Sequence, residues 1–148
     1  MTNRRRTNSQ RNETHPPHPD LGRSPIALDL PYPAAALWPN SRAHWSTKAR
    51  ATKNQRHAAH IIGRTAPPTA RHQNNPRILA EFYCPGHRGP DPDNATAALK
   101  ATLDGLTDAG LWHDDRRLTI LPPRIVTKTD WKAWRDRPGL RLWIGWPE

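Results

Sequence analysis

The segment DPDNATAALKATLDGLTDAGLWHDD, residues 91–115, decides how this chain folds. Leu99, Thr102, Leu103 and Leu106 stand at i, i+3, i+4 and i+7, one apolar stripe of a helix. The spacing predicts a helix from about Asn94 to Ala109, with Gly110 as its C-terminal stop. Pro85 to Pro90 precede it and break any regular element. A strand must therefore end near residue 84, and Arg77 to Cys84, with Ile78, Leu79, Phe82 and Tyr83, supplies it.

Working outward, Ile26–Leu30 reads as a first strand, which Pro31 and Pro33 end. Residues 39–45 form a polar loop. From Ser46 to about Gly63 the composition suits a strongly basic helix, with Ser46 as expected N-cap and Gly63 as stop. Thr65 to Pro76 connects it to the strand at Arg77. Beyond the central helix, Leu118–Thr127 reads as a strand that Pro122-Pro123 confines to an edge or a bulge. Trp131 and Trp134 fall in a basic linker, and Leu140–Trp146 closes the chain as a last strand. No internal repeat is visible. The expectation is one small α/β domain over residues 25–148, a mixed sheet of about four strands with two main helices. Residues 1–24, rich in Arg, Asn, Thr, Pro and His, read as a disordered basic arm whose Arg4, Arg5, Arg6 and Arg11 could touch phosphates.

The 148 residues carry a formal net charge of +10. That surplus favours a polyanionic partner and says nothing of fold. Cys84 is the single cysteine, so an intrachain disulfide and a CxxC zinc framework are both excluded. In a strand it reads as a small core residue. No run approaches the roughly 20 apolar residues of a membrane span, and the basic start lacks the apolar stretch of a signal peptide. The expectation is a cytoplasmic protein, in a reducing compartment, without membrane contact.

Against this basic background the acids are grouped. Asp91 and Asp93 flank Pro92, and residues at i and i+2 of extended backbone point the same way. Asp114 and Asp115 follow the same helix beyond Gly110, where the chain can fold back. Converging carboxylates call for a cation, and hard oxygen donors suit Mg²⁺ or Mn²⁺. The plainer alternative is that Asp93 or Asn94 caps the helix while Asp114 and Asp115 form a solvated turn. His57 and His60 could chelate a metal, but solvated surface histidines are commoner; His113 reads as a neighbour without a role. For contact with nucleic acid, Trp45 is the leading candidate, with Asn40, Arg42 and His44 beside it and Lys48 and Lys53 on the basic helix. Trp112 reads as packing a helix end, and Trp143 and Trp146 as core or dimer contacts.

Asp91-Pro-Asp-Asn94, the helix with Lys100, and the run from Asp104 through Ala109-Gly110 to Asp114-Asp115 together resemble the signature of RusA-like Holliday-junction resolvases. Residues 39–45 resemble that family's first polar loop, and the likeness extends over about residues 25–146. It implies a compact α/β homodimer that binds four-way DNA junctions and nicks them with Mg²⁺. By position, Asp91, Asp93 and Asp115 correspond to the metal-binding acids, with Asp114 an adjacent candidate. Lys100 corresponds to the catalytic lysine, although the commonest spacing would place it at Ala97; Asp93, Ala97, Lys100 and Asp104 share one helix face, and the shift is about one turn, roughly 4.5 Å. The C-terminal strand, with Leu142, Trp143, Ile144 and Trp146, offers apolar surface beyond what a small monomer needs, for a dimer or for core packing to absorb. Two other readings remain: a junction-binding protein without catalysis, and a nuclease for flaps, forks or structured RNA.

Overall fold

A computed structural model describes residues 19–71, 74–113 and 117–146. They form a small mixed α/β domain. The strands are β1 (Arg23–Leu30), β2 (Arg77–Tyr83), β3 (Thr119–Ile120), β4 (Arg124–Val126) and β5 (Gly139–Trp146), and the helices are α1 (Trp45–Gly63), α2 (Pro92–Ala98), α3 (Lys100–Asp108) and the short α4 (Lys128–Trp131). The sheet has five strands where about four were expected. Pro122-Pro123 splits the expected single strand into β3 and β4, which pair one after the other along the same edge of β2.

The order across the sheet is β1-β5-β2, with β3 and β4 beyond β2. β5 runs antiparallel to both neighbours, whereas β3 and β4 run parallel to β2. A parallel pair cannot be joined by a hairpin and needs a long crossover; α2 and α3 supply it. The head of α2 therefore lies beyond the carboxyl end of β2, the end where open α/β sheets place ligands. On the opposite edge, the β1 register shifts between Arg23 and Ile26. Pro25 falls at that irregularity in an edge strand, where its missing N–H costs the ladder least.

Side-chain alternation divides the sheet into two faces. Leu28, Leu30, Ile78, Ala80, Phe82, Leu140, Leu142 and Ile144 meet Ala59, Leu99, Leu103 and Leu106 in the main core. The stripe expected on the central helix is buried throughout. That helix is not continuous: it breaks at Leu99, whose φ of −77° and ψ of −14° tilt the hydrogen bonding between α2 and α3 without reversing the chain. It ends at Asp108, and Gly110 follows at φ 83°, a conformation glycine adopts without strain.

Three sequence expectations need correction. The basic arm ends earlier than residue 24: Leu21 is 0% exposed against Leu79 and Trp143, because the sheet's second face needs a cover there; residues 1–18 lie outside the described residues. Trp131 is core rather than linker, buried with its Nε1 donating to the Cys84 carbonyl at 2.8 Å. The C-terminal strand is no surplus surface either. β5 sits between β1 and β2, so Leu142, Trp143 and Ile144 are all buried within the chain and Trp146 packs on the core. As expected, Cys84 is a buried free thiol, and burial raises its pKa.

Helix α1 is fixed to this frame by shape and by hydrogen bonds. A Cβ at Gly105 would lie 2.2 Å from the Arg56 carbonyl oxygen, so only glycine lets α1 and α3 approach this closely. Gln55, buried on the inner face of α1, donates to the Pro31 carbonyl and to Thr102 Oγ1, each at 3.0 Å. Arg56 forks onto Asp108 at 2.6 and 2.8 Å. The Asp108 carboxyl is held below its usual range by that hydrogen bond.

Candidate active site

Asp91 caps α2. Its backbone is extended, at φ −61° and ψ 134°, as a residue before proline should be. Its Oδ1 accepts the Asp93 N–H at 2.8 Å. Pro92 takes the first helical position, where its missing N–H costs nothing. Asp93 therefore lies inside the first turn, and the expectation of one extended run aiming both carboxylates together is corrected: proline here starts a helix instead of prolonging a strand. The capping residue is Asp91, not Asp93 or Asn94.

Both acids are exposed. Among the described residues, Asp91 Oδ2 and the two Asp93 oxygens make no hydrogen bond or ion pair. These oxygens fit part of the donor set of a hard divalent cation. Asp114 and Asp115 lie outside the described residues, and among the described ones no three His, Cys, Asp or Glu side chains converge as a metal group. The segment leading to Asp114 starts from a fixed point. Trp112 is buried and its Nε1 donates to Thr107 Oγ1 at 2.7 Å, so it packs the helix end as expected.

Lys100 opens α3. Its side chain is 81% exposed and its Nζ lies 3.5 Å from Asp104 Oδ2, an i,i+4 ion pair. An exposed pair of this kind is weak, worth a few tenths of a kcal/mol, and leaves the ammonium free to exchange partners. Ala97, Lys100 and Asp104 line one hollow of about 310 Å³, as their shared helix face anticipated. Lys48 and Thr52 of α1 form its opposite wall, and Trp38 closes one side. The hollow thus joins Lys100 to Lys48, a residue the sequence had assigned to nucleic-acid contact.

The six residues expected to contact nucleic acid do not form one patch. Asn40, Arg42, His44 and Trp45 are exposed around the start of α1, with Trp45 at 74%. His44, not Ser46, caps that helix: its Nδ1 accepts the Ser46 N–H at 3.2 Å and lies 2.8 Å from Ser46 Oγ. Lys53 lies about 140° around the helix from Lys48. It lines a separate hollow of about 530 Å³ with Arg56, His57, His60 and Asp108. In that hollow His57 is exposed, while His60 has a buried Nδ1 without a hydrogen-bond partner.

Two functional-looking groups were not singled out from sequence. Asp104, read there only as one position on the helix face of Lys100, is a half-buried wall of the first hollow. Glu81, only 1% exposed on β2, accepts from Trp143 Nε1 and lies 3.5 Å from Arg124 Nη1, opposite Arg141 of β5. Arg141 in turn forks onto Asp29; burial alone would lower its pKa, but the hydrogen bond to and charge of Asp29 raise it. On the same face Arg135 stands 4.2 Å over the Tyr83 ring, and Tyr83 is pushed up to about 12 by burial and then by the Glu81 charge. A lone Glu in an otherwise apolar strand was the signal for this cluster. It lies on the sheet face opposite the helices, where it serves to cover the sheet.

The fold and site together define a small mixed α/β domain in which an acid-capped crossover helix stands beside a lysine-lined hollow against a basic helix. The chain is 35% identical over 99 residues to an uncharacterized protein of Xylella fastidiosa (strain Temecula1 / ATCC 700964), covering 65% of this chain and 64% of that protein. The match thus spans just under two thirds of the relative's length. No protein-family model matches the chain. Among the described residues no helix is long and apolar enough to cross a membrane.

Proposed function

We propose that the protein is a divalent-metal-dependent endodeoxyribonuclease acting on branched DNA, with four-way junctions as its principal substrate, as its resemblance to RusA-like resolvases implies. The observation that carries this reading is a pair of exposed carboxylates at the head of α2, followed on the same crossover by Lys100, which lines one hollow with Lys48, in a chain of net charge +10. A protein that attracts phosphate has little other use for grouped acids. Asp91, Asp93 and Asp115, with Asp114 adjacent, would hold Mg²⁺ or Mn²⁺. Bound there, the ion would supply charge neutralisation at the scissile phosphate and a water more easily deprotonated.

The chain's own residues have separate tasks. Asp91 can keep the head of α2 in place through Oδ1 and still offer Oδ2. Lys100 leaves Asp104 and turns to a phosphate oxygen as negative charge grows there. The exposed start of α1, with Asn40, Arg42, His44, Trp45 and Lys48, positions the DNA backbone without reading sequence. Hydrolysis adds one water across one P–O bond of one strand. Resolution needs two such nicks related by a two-fold axis, so the active species is a homodimer, joined elsewhere than through β5.

One observation favours a second reading, a junction-binding protein without catalysis: Asp91 Oδ1 is committed to a helix cap and Lys100 to Asp104. A nicking assay on a synthetic four-way junction, with and without Mg²⁺, separates the two. Paired, Mg²⁺-dependent nicks support the nuclease; binding with no cutting supports the second reading; faster cutting of flaps than of junctions moves the substrate assignment.

A further inference from the structure

The hollow between α1 and α3 is built differently from a surface that merely follows a DNA backbone. Its floor is Ala97, Ala98 and Ala101, side chains that repel nothing and leave room. Its aromatic wall, Trp38, is held rigid. The Trp38 ring stacks on Tyr32 at 5.6 Å and its Nε1 donates to the Pro33 carbonyl at 3.1 Å. Lys48 has no carboxylate partner among the described residues, and Lys100 holds only its exposed pair. A volume of about 310 Å³ is at the small end for ligand pockets, about 300–1,000 Å³, and no duplex enters it.

Asp104 is the informative wall. A half-buried carboxylate beside a phosphate site repels the phosphate, yet it is a natural acceptor for the amino group of a base. We propose that the hollow receives one unpaired nucleotide, with its phosphate on Lys48 and Lys100, its base against Trp38 and the alanine floor, and a base amino group donated to Asp104. Cytosine, adenine and guanine carry such a group and thymine does not. The inference rests on the reading of the protein as one that engages DNA, and it adds what the hollow recognises. An extrahelical base is available at a branch point, where unstacking is cheapest.

The test uses the full chain and deoxynucleoside 5′-monophosphates, followed by amide chemical shifts in two-dimensional NMR. The expected result is saturable shifts at Thr52, Ala97 and Ala101, with the thymine nucleotide binding at least about 5-fold more weakly than the cytosine one. Asp104→Asn should reduce that discrimination to within about 2-fold. Ala97→Phe, at an exposed position, should fill the hollow and remove the shifts; Thr52→Trp fills it from the other wall should the first variant fold poorly. Equal binding of all four nucleotides, shifts that inorganic phosphate reproduces, or no binding would each overturn the inference. Junction nicking measured in parallel keeps the two readings apart. A protein that cuts but takes no nucleotide refutes only the hollow, and one that takes nucleotides but never cuts refutes only the nuclease.

Discussion

Replacing Asp91 separates a structural carboxylate from a catalytic one. Its Oδ1 satisfies the Asp93 N–H at the head of a seven-residue helix whose first position is proline. That leaves two early N–H groups in need of acceptors, Asp93 and Asn94, and the cap serves one. The site is exposed, so water replaces a lost cap in part, and Asp91→Ala should cost about 1 kcal/mol. That corresponds to about 2–4 °C in Tm for a domain of this size. Asparagine and serine cap as well as aspartate, so Asp91→Asn and Asp91→Ser should lose only the charge at the helix N-terminus, about 0.3–0.5 kcal/mol. Cleavage should follow a different order. All three variants remove a carboxylate that the proposed function assigns to the metal, so on that reading all three should lose junction nicking while binding stays intact or tightens. Thermal melts and a nicking assay on the same preparations provide the comparison. If Asp91→Asn or Asp91→Ser cuts normally and only Asp91→Ala is impaired, the carboxylate is a cap and nothing more.

Lys100→Ala should lower the nicking rate more than 10-fold, about 1.4 kcal/mol or more of transition-state stabilisation, while a melt shows little change; a normal rate would reduce Lys100 to its ion pair with Asp104. Leu21→Ala should cost about 2–3 kcal/mol in a denaturant titration, because the side chain is fully buried between Leu79 and Trp143; an unchanged midpoint would return Leu21 to the basic arm. The two tyrosines, Tyr32 and Tyr83, are both raised above the ordinary value of 10.0, chiefly by burial, Tyr83 to about 12. Their contribution to stability is complete below pH 10 and is lost as pH rises above 10, for Tyr83 through about 12 and for Tyr32 higher still, because unfolded tyrosines ionise first. Absorbance at the phenolate band should therefore show no titration midpoint near pH 10, and such a midpoint would contradict the burial.

Much of the fold was legible because its signals were redundant. The stripe of Leu99, Thr102, Leu103 and Leu106 called for a partner surface, and the short apolar runs of β2 and β5 marked the strands that provide one. Pro122-Pro123 correctly signalled an edge. Pairing was not legible: nothing local in Leu140–Trp146 says that β5 inserts between β1 and β2, and that order turned a candidate dimer surface into core. Leu21 was missed for a related reason. One leucine in a polar segment has no period, and its burial depends on Leu79 and Trp143, distant in sequence.

The site was legible in its residue types and less so in its grouping. A period-2 argument placed Asp91 and Asp93 together, but the same proline that favours extension before it also starts a helix after it, and the helix prevailed. Helical phase succeeded across a break. Ala97, Lys100 and Asp104 still line one hollow, because Leu99 stays in the right-handed region and preserves the face. Phase also separates Lys48 from Lys53, which composition had treated as one basic surface. On the proposed reading, net charge would bring DNA to the protein, and the angular position of each lysine would decide whether it meets a phosphate beside the acids or on another side of α1. Asp93 stands one turn before Ala97 on that face, about 6 Å along the axis. A nucleotide seated in the hollow would thus bring its neighbouring phosphate towards the acids at the head of α2, giving base recognition and cleavage a common frame.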